Sequence, residues 1–384
     1  MKLRLFLILA AISVTLVHAA RLEPSRRPRY GATLRVEIGA VVNSLDPAVA
    51  AANPEEAAAK DQIGALLYDH RNPDGTFAGV AGSGPFRIAA WDPGKHVTLA
   101  ASDSSRGSRA FVDSIEIQMG RAAKDRLLDL ETGNVDFAEL PAEQARSASD
   151  HGVRVSASDP DELVAVVFVA GRPISEDAHA REALARSIDR AAIVNFILQK
   201  EGEPAGGLLP QWSSGIAFLF STAMDAAGAK QLWSQIAGSP TIVLGYDSAD
   251  SLEQTIAERI AVNARDAGIS ITAESVAGPG SASPNFDARL MRVRMPSPHP
   301  REALVNLVAM LGPLAALDVA PLPAGVSSDE VFDRERAIVN SYRVVPLVWL
   351  PQVYGLSARV RDWKAPAPGE SWPFADVWLD QESQ

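Results

Sequence analysis

One stretch, residues 241–275, restricts the possible fold of this chain more than any other. It opens with an almost unbroken apolar run, TIVLGY, which is typical of a parallel strand buried on both faces. Polar residues suited to a helix N-cap follow at 247–250, and apolar residues then recur every four positions over 252–264. Gly268 stands where a helix would end, and Ile269 begins an alternating pattern that predicts a second strand. A strand, a helix and a strand in this order predict a βαβ unit and therefore an α/β fold.

The βαβ unit also predicts where a ligand would bind. In open α/β sheets, ligands lie beyond the carboxyl ends of the strands, which here means near residues 246–248. Tyr246 ends the central strand at this place and is a candidate ligand contact. The alternative is that Tyr246 belongs to the core, as large aromatic side chains more often do.

Other segments extend the α/β pattern on both sides. Alternating apolar residues at 86–90 and 97–99 flank a Pro-Gly turn, which predicts a β-hairpin. The run ELVAVVFVA at 162–170 is suited to a strand that crosses between two lobes. Residues 175–199 predict two helices, with Ser175 and Asp189 as their N-caps.

Composition limits the class of protein. The chain has 384 residues, 47% of them hydrophobic, which is enough for a large core in roughly two or three domains. A formal net charge of −11 argues against nucleic acid as a partner. Cysteine is absent, so disulfides, thiolate metal sites and a cysteine nucleophile are all excluded.

The N-terminus has the features of an export signal. Lys2 and Arg4 precede an apolar run at residues 5–17, and small residues follow where a signal peptidase cleaves. We therefore predict a signal peptide at residues 1–19, a flexible lead-in at 20–30 and a periplasmic protein. Because no cysteine lies near the cleavage site, a lipoprotein is not expected. Four arginines just after the apolar run leave an uncleaved membrane anchor as the alternative.

Motifs for catalysis and metal binding were not found. The six histidines are scattered, and the sequence contains neither His-Glu-x-x-His nor Gly-x-Ser-x-Gly nor a phosphate-binding lysine loop. His299 has no carboxylate close by in the sequence that would help it to hold a metal. We expect no cofactor, no metal site and no enzymatic activity.

Seven segments occur in the order and with the residue types of a known family. They are the βαβ unit above together with GATLRVEIGAVVNSLDPA, GSGPFRIAAWDPGKHVTLAAS, LETGNVDFAEL, AREALARSIDRAAIVNFIL, FDARLMRV and VVPLVWLPQVYGLSARVRDW. In this respect the chain resembles the family 5 extracellular solute-binding proteins, the dipeptide, oligopeptide and nickel receptors of ABC importers. Over most of residues 31–380, the resemblance implies the two-lobe, type II venus-flytrap fold of periplasmic binding proteins, with a mixed sheet in each lobe.

The resemblance also implies a function and a division of the chain. A small solute or peptide would bind between the lobes, and a membrane permease would receive it. We expect a monomer whose first lobe comprises residues 31–168 plus 345–384 and whose second lobe comprises 169–344.

The chain departs from the family pattern in two places. Family members carry a long segment before the Gly-x-Gly-Pro hairpin, whereas here residues 76–81 span that gap, so one subdomain is lost. Peptide-binding members also place an aspartate about nine residues after the position of Asp287, where it pairs with the peptide ammonium group. This chain has Pro296 there, preceded by Arg292 and Arg294. A free peptide amine is therefore a poor candidate for the recognised group.

Four further side chains are candidate ligand contacts. Arg292 and Arg294 would favour a carboxylate or phosphate if they face the cleft, because guanidinium groups bind such anions through two hydrogen bonds. The alternative is that the two arginines share a solvated face of one strand. Trp212 and Trp349 could stack on a ligand, although large aromatic side chains more often belong to the core.

Three functions remain open from the sequence. The first is an exported receptor that closes over a solute and passes it to a permease. The second is a truncated scaffold protein without a small ligand, which the lost subdomain suggests. The third is an enzyme built on the same fold.

Overall fold

The structure, a computed structural model, describes residues 27–68, 70–71, 77–78, 82–103, 109–214, 220–276, 285–295, 297–317, 322–323 and 325–380. The predicted signal peptide and Pro296 lie outside the described residues. So does most of the shortened segment at 76–81.

The described strands form two large sheets and two short ribbons. In chain order they are β1 (Thr33–Glu37), β2 (His70–Arg71), β3 (Phe77–Ala78), β4 (Phe86–Asp92), β5 (His96–Ala101), β6 (Ser114–Gln118), β7 (Phe137–Leu140), β8 (Arg154–Ala157), β9 (Glu162–Phe168), β10 (Glu203–Pro204), β11 (Thr241–Asp247), β12 (Ser270–Val276), β13 (Ala288–Arg294), β14 (Val344–Leu350), β15 (Val353–Leu356), β16 (Val360–Arg361) and β17 (Trp378–Leu379).

The first sheet has seven strands in the order β4-β5-β6-β1-β7-β15-β8. The β4–β5 hairpin is antiparallel, as predicted from its alternating pattern. β1 runs parallel to both β6 and β7, whereas β15 runs antiparallel to β7 and β8. This sheet is therefore mixed, and it forms the core of the first lobe.

The second sheet has six strands in the order β10-β14-β9-β13-β11-β12. β11 is parallel to β12 and to β13, and β9 is antiparallel to both of its neighbours. β9 lies at the centre, and its residues alternate between two cores: Val164 and Val166 face one, Leu163 and Ala165 the other. Burial on both faces explains why its sequence is an unbroken apolar run.

The helices cover both faces of the second sheet, and others pack against the first sheet. They are α1 (Pro54–Leu67), α2 (Ala123–Glu131), α3 (Ala145–Asp150), α4 (Pro173–Glu176), α5 (Ala178–Ser187), α6 (Arg190–Ala192), α7 (Gln211–Ser214), α8 (Ala226–Trp233), α9 (Ser251–Asp266), α10 (Pro300–Ala315) and α11 (Ser328–Asn340), with a 3₁₀ turn at Ala142–Gln144 and a π-helix at Ile193–Ile197. α5 and α9 pack on one face of the second sheet, and α10 and α11 pack on the other.

The predicted βαβ unit is confirmed as β11, α9 and β12. The two strands pair in parallel from Thr241 with Ser270 to Asp247 with Val276. Asp250 caps α9 by accepting hydrogen bonds from the backbone N–H groups of Leu252 and Glu253. The polar break after the apolar run therefore does what its residue types predicted.

The helix caps predicted in residues 175–199 were half right. Asp189 accepts a hydrogen bond from Ala192 N at 2.9 Å, as an N-cap should. Ser175 does not cap, because it lies inside α4 and donates to the carbonyl of Asp287 instead. Asp177 caps α5 in its place.

The crossings between the two sheets differ from the predicted lobe boundaries. β9 and β14 pair only within the second sheet, so the chain crosses at residues 158–161 and 351–352. Boundaries near Phe168 and Val344 fall at the far ends of these two strands. A strand that is apolar on both faces carries no sign of which sheet it joins, and this explains the difference.

Candidate functional site

The carboxyl edge of the second sheet faces the first lobe. β11, β13 and β14 end at this edge, and β9 begins there, because β9 is antiparallel to β13 and β14. Four of the five predicted ligand contacts lie on the last residues of these strands: Tyr246, Arg292, Arg294 and Trp349. These residues therefore lie at the edge that the βαβ unit indicated.

The two crossing segments are hydrogen-bonded to each other along this edge. Ser158 N donates to Gln352 O at 3.0 Å, and Gln352 N donates back to Ser158 Oγ at 3.0 Å. Asp161 N donates to Leu350 O at 3.0 Å. Trp212 Nε1 donates to the carbonyl of Pro160 at 2.8 Å, so this predicted contact is attached to the crossing. The two lobes are thus joined by two adjacent connecting segments that are hydrogen-bonded to each other. This is the geometry of a hinge.

Arg292 is held by two carboxylates of the second lobe. Its Nη2 contacts Glu162 Oε2 at 2.6 Å, and its Nη1 contacts Asp250 Oδ2 at 2.7 Å. Burial alone would lower the pKa of Arg292, but the two carboxylates more than offset that effect and raise the pKa. Arg292 therefore does not stand on a solvated face, and its charge is already compensated without a bound anion.

Arg294 belongs to a chain of hydrogen bonds through the hinge. It donates to Gln352 Oε1, and Gln352 Nε2 donates to Asp161 Oδ1 at 3.0 Å. Burial raises the pKa of Asp161 to about 6, against the opposing charge of Arg294. A residue of one crossing thus links an arginine of the second lobe to a carboxyl of the other crossing.

The first lobe contributes carboxyl groups that lie near Arg292 and Arg294. Burial raises the pKa of Glu139, at the end of β7, and the nearby charges of Arg294 and Arg126 oppose this rise. Burial also raises the pKa of Glu143, in the 3₁₀ turn that follows, and Arg292 opposes it. Charged groups of both lobes therefore interact here. We call this group the lobe junction and define it as Glu139, Glu143, Asp161, Glu162, Arg292, Arg294 and Gln352.

A cavity of about 310 Å³ lies in the second lobe and reaches the same edge through Trp349. The loop that follows β10 supplies one wall, and β14 and α11 supply Trp349 and Glu335. A second cavity of about 390 Å³ adjoins it and shares Leu209, Ser214 and Glu335. We call the first of these the second-lobe cavity.

Two buried polar groups line the second-lobe cavity. Glu335 is only 4% exposed, and its Oε1 accepts a hydrogen bond from Leu209 N at 2.8 Å. Trp349 is 2% exposed, and its indole Nε1 has no hydrogen-bond partner. Gly207 allows the loop to approach, since a Cβ there would lie 2.5 Å from Glu335 Oε1.

The structure divides the predicted contacts between the two faces of the sheet. Arg292 and Arg294 lie on the face that α9 covers, as does Tyr246, which is partly buried against that core. Trp349 and Trp212 pack with the core on the opposite face. The five residues therefore share one edge but do not form one cluster.

Sequence reasoning missed several polar residues of this edge. Glu162 and Gln352 border predicted strands, but nothing local showed which arginine they would meet. Glu335 did have a signal: it lies on the buried stripe of α11 with Val331, Ile338 and Val339, where a charged residue is out of place.

Two kinds of feature are missing from the described residues. They contain no group of three or more potential metal ligands among His, Asp and Glu. None of the helices within the described ranges combines the length and the apolar character that a membrane crossing requires.

Comparison with known proteins gives a family match over most of the chain. The profile of the bacterial extracellular solute-binding proteins, family 5 (middle region), matches residues 33–310. The chain is 26% identical over 224 residues to the probable D,D-dipeptide-binding periplasmic protein DdpA of Escherichia coli, covering 56% of this chain and 43% of that protein. It is 26% identical over 125 residues to the oligopeptide-binding protein AppA of Bacillus subtilis, covering 32% and 23%. The chain thus spans less than half the length of these relatives.

Solved structures resemble the fold throughout. The ABC transporter substrate-binding protein CtaP of Listeria monocytogenes superposes with a TM-score of 0.74 at 12% identity, covering 92% of this chain and 100% of that one. AppA of Bacillus subtilis in complex with a nonapeptide gives 0.68 at 13% identity, covering 92% and 100%. These likenesses confirm the two-lobe fold of periplasmic binding proteins with a mixed sheet in each lobe.

Proposed function

Because the chain belongs to the bacterial extracellular solute-binding proteins of family 5, we propose that it is the solute-binding component of an ABC-type importer. It binds a peptide-like or other small solute between its two lobes and delivers it to a membrane permease. The names of its relatives support this role, since DdpA and AppA are described as binding proteins for dipeptides and oligopeptides. In this proposal the protein binds its solute without converting it.

The observation that carries the proposal is the hinge at residues 158–161 and 351–352. Only these two crossings join the sheets within the described chain, and they lie side by side. A pair of short adjacent crossings lets two lobes move as rigid bodies, and a solute that contacts both lobes would favour the closed state. The lobe junction supplies polar groups from both sides of such a closure.

The five residues predicted as ligand contacts are all part of this proposal, but the roles of the two arginines change. Tyr246, Trp212 and Trp349 are proposed as aromatic contacts at the edge where the solute binds. Arg292 and Arg294 are proposed to hold the other residues of the lobe junction in place beside the bound solute. Their carboxylate and amide partners argue against the anion site expected from the sequence.

The location and partners are part of the same proposal. Residues 1–19 would direct export and be removed, leaving a periplasmic protein without a lipid anchor. The first lobe would comprise residues 31–157 plus 353–384, and the second residues 162–350. The mature protein would act as a monomer whose partners are its solute and a permease, and nucleic acid would not be among them.

A thermal-shift screen tests the proposal. The exported protein would be screened against short peptides, amino acids, nickel chelates, organic ions and lipids. A ligand at about 100 times its dissociation constant should stabilise the protein by roughly 2.7 kcal/mol, which is several degrees in the unfolding midpoint. A scaffold without a ligand would show no shift with any class of solute, and that result would overturn the proposal.

A further inference from the structure

The second-lobe cavity has acidic residues in its wall that no described basic residue of the wall balances. Among the described residues, Glu203 and Glu335 are the only charged ones that line it. Burial raises the pKa of Glu335 to about 7, and the only influences against this rise are backbone N–H groups of Leu209 and Leu208. The part of the wall that the structure describes contains no lysine, arginine or histidine.

Glu335 differs in this respect from the other buried carboxyls. Within the described residues, five more have a pKa raised by burial, and every one has an arginine that opposes the rise: Glu37 with Arg121, Glu139 and Asp161 with Arg294, and Glu143 and Glu253 with Arg292. Glu335 alone among these six has no cation. Buried charges in proteins are normally paired, so a group of this kind is a candidate for binding a charged ligand.

The adjoining cavity does not supply the missing cation. Its wall contains His299, Arg301 and Glu302, but Arg301 is engaged elsewhere. Arg301 Nη2 donates to Leu322 O at 2.6 Å, its Nε donates to Pro323 O at 2.7 Å, and its Nη1 contacts Glu302 at 3.2 Å.

Aromatic side chains complete the second-lobe cavity. Phe220 and Trp349 line it together with the two glutamates. Aromatic rings attract organic cations through their negative faces, and carboxylates add a full opposite charge. The unpartnered Nε1–H of Trp349 leaves one hydrogen-bond donor for an oxygen of the same molecule.

We propose that the second-lobe cavity binds the organic cation of the solute, an ammonium or substituted ammonium group with a neighbouring oxygen. Glu335 pairs with the positive charge, Phe220 and Trp349 surround it, and Trp349 Nε1–H donates to the oxygen. This inference rests on the proposed function and deepens it, because it names the chemical class of the solute. It replaces the anion that Arg292 and Arg294 would have favoured, and it reverses the expectation from the sequence that a free amine is a poor candidate for the recognised group.

A purely structural role for Glu335 is the competing explanation. Its hydrogen bond with Leu209 N anchors the loop after β10. Glu335→Gln separates the two roles, because glutamine keeps an oxygen that accepts this bond but loses the charge. Glu253→Gln is the matched control: Glu253 is also buried in the second lobe and accepts a backbone N–H, from Asp247 at 2.8 Å, but it lines neither cavity.

Calorimetric titration with a pair of probes tests the charge. Choline carries a quaternary ammonium group, and 3,3-dimethyl-1-butanol has the same shape without the charge. We expect choline to bind at least ten times more tightly than the alcohol. Glu335→Gln should weaken choline binding by roughly 10- to 100-fold, the range for a hydrogen bond or contact with a charged group. Glu253→Gln should leave choline binding unchanged, and Trp349→Phe should weaken it less than Glu335→Gln does.

A second pair of probes distinguishes the source of the cation. Alanyl-alanine has a free ammonium group beside a carbonyl oxygen, and N-acetyl-alanyl-alanine does not. Binding of the free dipeptide alone, lost in Glu335→Gln, would identify the cation as a peptide amino terminus. Binding of choline alone would identify a substituted ammonium compound.

Failure of this inference is separable from failure of the proposed function. If choline and the dipeptide both fail to bind, or if Glu335→Gln binds them as the wild type does, the cation site is wrong. A thermal shift with some other solute would then leave the importer role standing. If no solute of any class binds, both proposals fail together.

Discussion

The lobe junction and the second-lobe cavity meet the same edge of the sheet, yet their carboxyl groups have different surroundings. At the junction, Glu162 shares Arg292 with Asp250. In the cavity, Glu335 has only backbone N–H groups and Trp349 has no partner at all. Burial alone therefore does not mark a ligand site. A carboxylate with an internal cation stabilises the structure, whereas one without a cation is suited to receive it from a ligand.

The largest expected effect concerns the lobe junction, where Arg292 compensates the charge of two carboxylates. Arg292→Met would leave Glu162 and Asp250 without their cation, and because these three side chains are only partly buried, breaking both ion pairs should cost about 2 to 4 kcal/mol of unfolding free energy. Urea denaturation measures this loss. The control is Arg336→Met, whose partner Asp333 is mostly exposed, and it should cost less than about 1 kcal/mol. Equal losses of unfolding free energy in the two variants would show that the ion pairs of the lobe junction stabilise the protein no more than an exposed pair does.

The second prediction concerns Glu335, the buried carboxyl group that has no cation beside it. The pKa of Glu335 rises from 4.5 to about 7 on folding, so the native state binds more protons than the unfolded state between these two values. The free energy of unfolding should therefore fall as pH increases through this window, by on the order of 2 to 3 kcal/mol from this group, and stay level above it.

Glu335→Gln removes this contribution. The difference in unfolding free energy between variant and wild type should increasingly favour the variant from pH 5 to pH 8, in denaturation curves recorded at each pH. Glu253, whose pKa also rises to about 7, still titrates in that variant and cancels from the difference. A difference that does not change with pH would contradict the burial of an ionisable Glu335.

Much of the fold was predictable because its signals are local. The βαβ unit was visible because β11, α9 and β12 each carry their own period, and Asp250 has a residue type that caps helices. The lobe crossings were not visible, since β9 is apolar on both faces whichever sheet it joins. The edge proposed for the site is the one that the general rule for parallel strands indicates.

The chemistry of the site was harder to predict because its contacts are distant in sequence. Arg292 and Glu162 are separated by 130 positions, and nothing near either residue indicates the other. Two arginines on one strand suggested an anion, and only the folded chain brings carboxylates to them. Glu335 could have been suspected as the one charged residue on an apolar helix stripe, but its lack of a cation is a property of the whole lobe.

The third prediction loosens the junction without altering a charge. Gln352→Ala removes the bridge between Arg294 and Asp161, and a hydrogen bond to a charged group contributes about 2 kcal/mol. We expect a loss of this size in unfolding free energy and a larger radius of gyration in small-angle scattering, because the lobes open more readily. Gln235→Ala, at an exposed helix end, is the control and should change neither. Loss of stability without a change in radius would limit Gln352 to a packing role.

The smallest effect sharpens the contrast most directly, because it couples Glu335 to the proposed ligand. Choline does not titrate, so any dependence of its affinity on pH belongs to the protein. The cation binds the ionised carboxylate, and affinity should therefore rise about fivefold, or 1 kcal/mol, between pH 6 and 7 and level off at roughly ten times its pH 6 value above the pKa of Glu335. Glu203, His299 and Glu302 also line the two cavities, and Glu335→Gln leaves them unchanged. If the wild type and Glu335→Gln bind choline with the same pH profile, Glu335 is an anchor for the loop at Leu209 and not the group that recognises the cation.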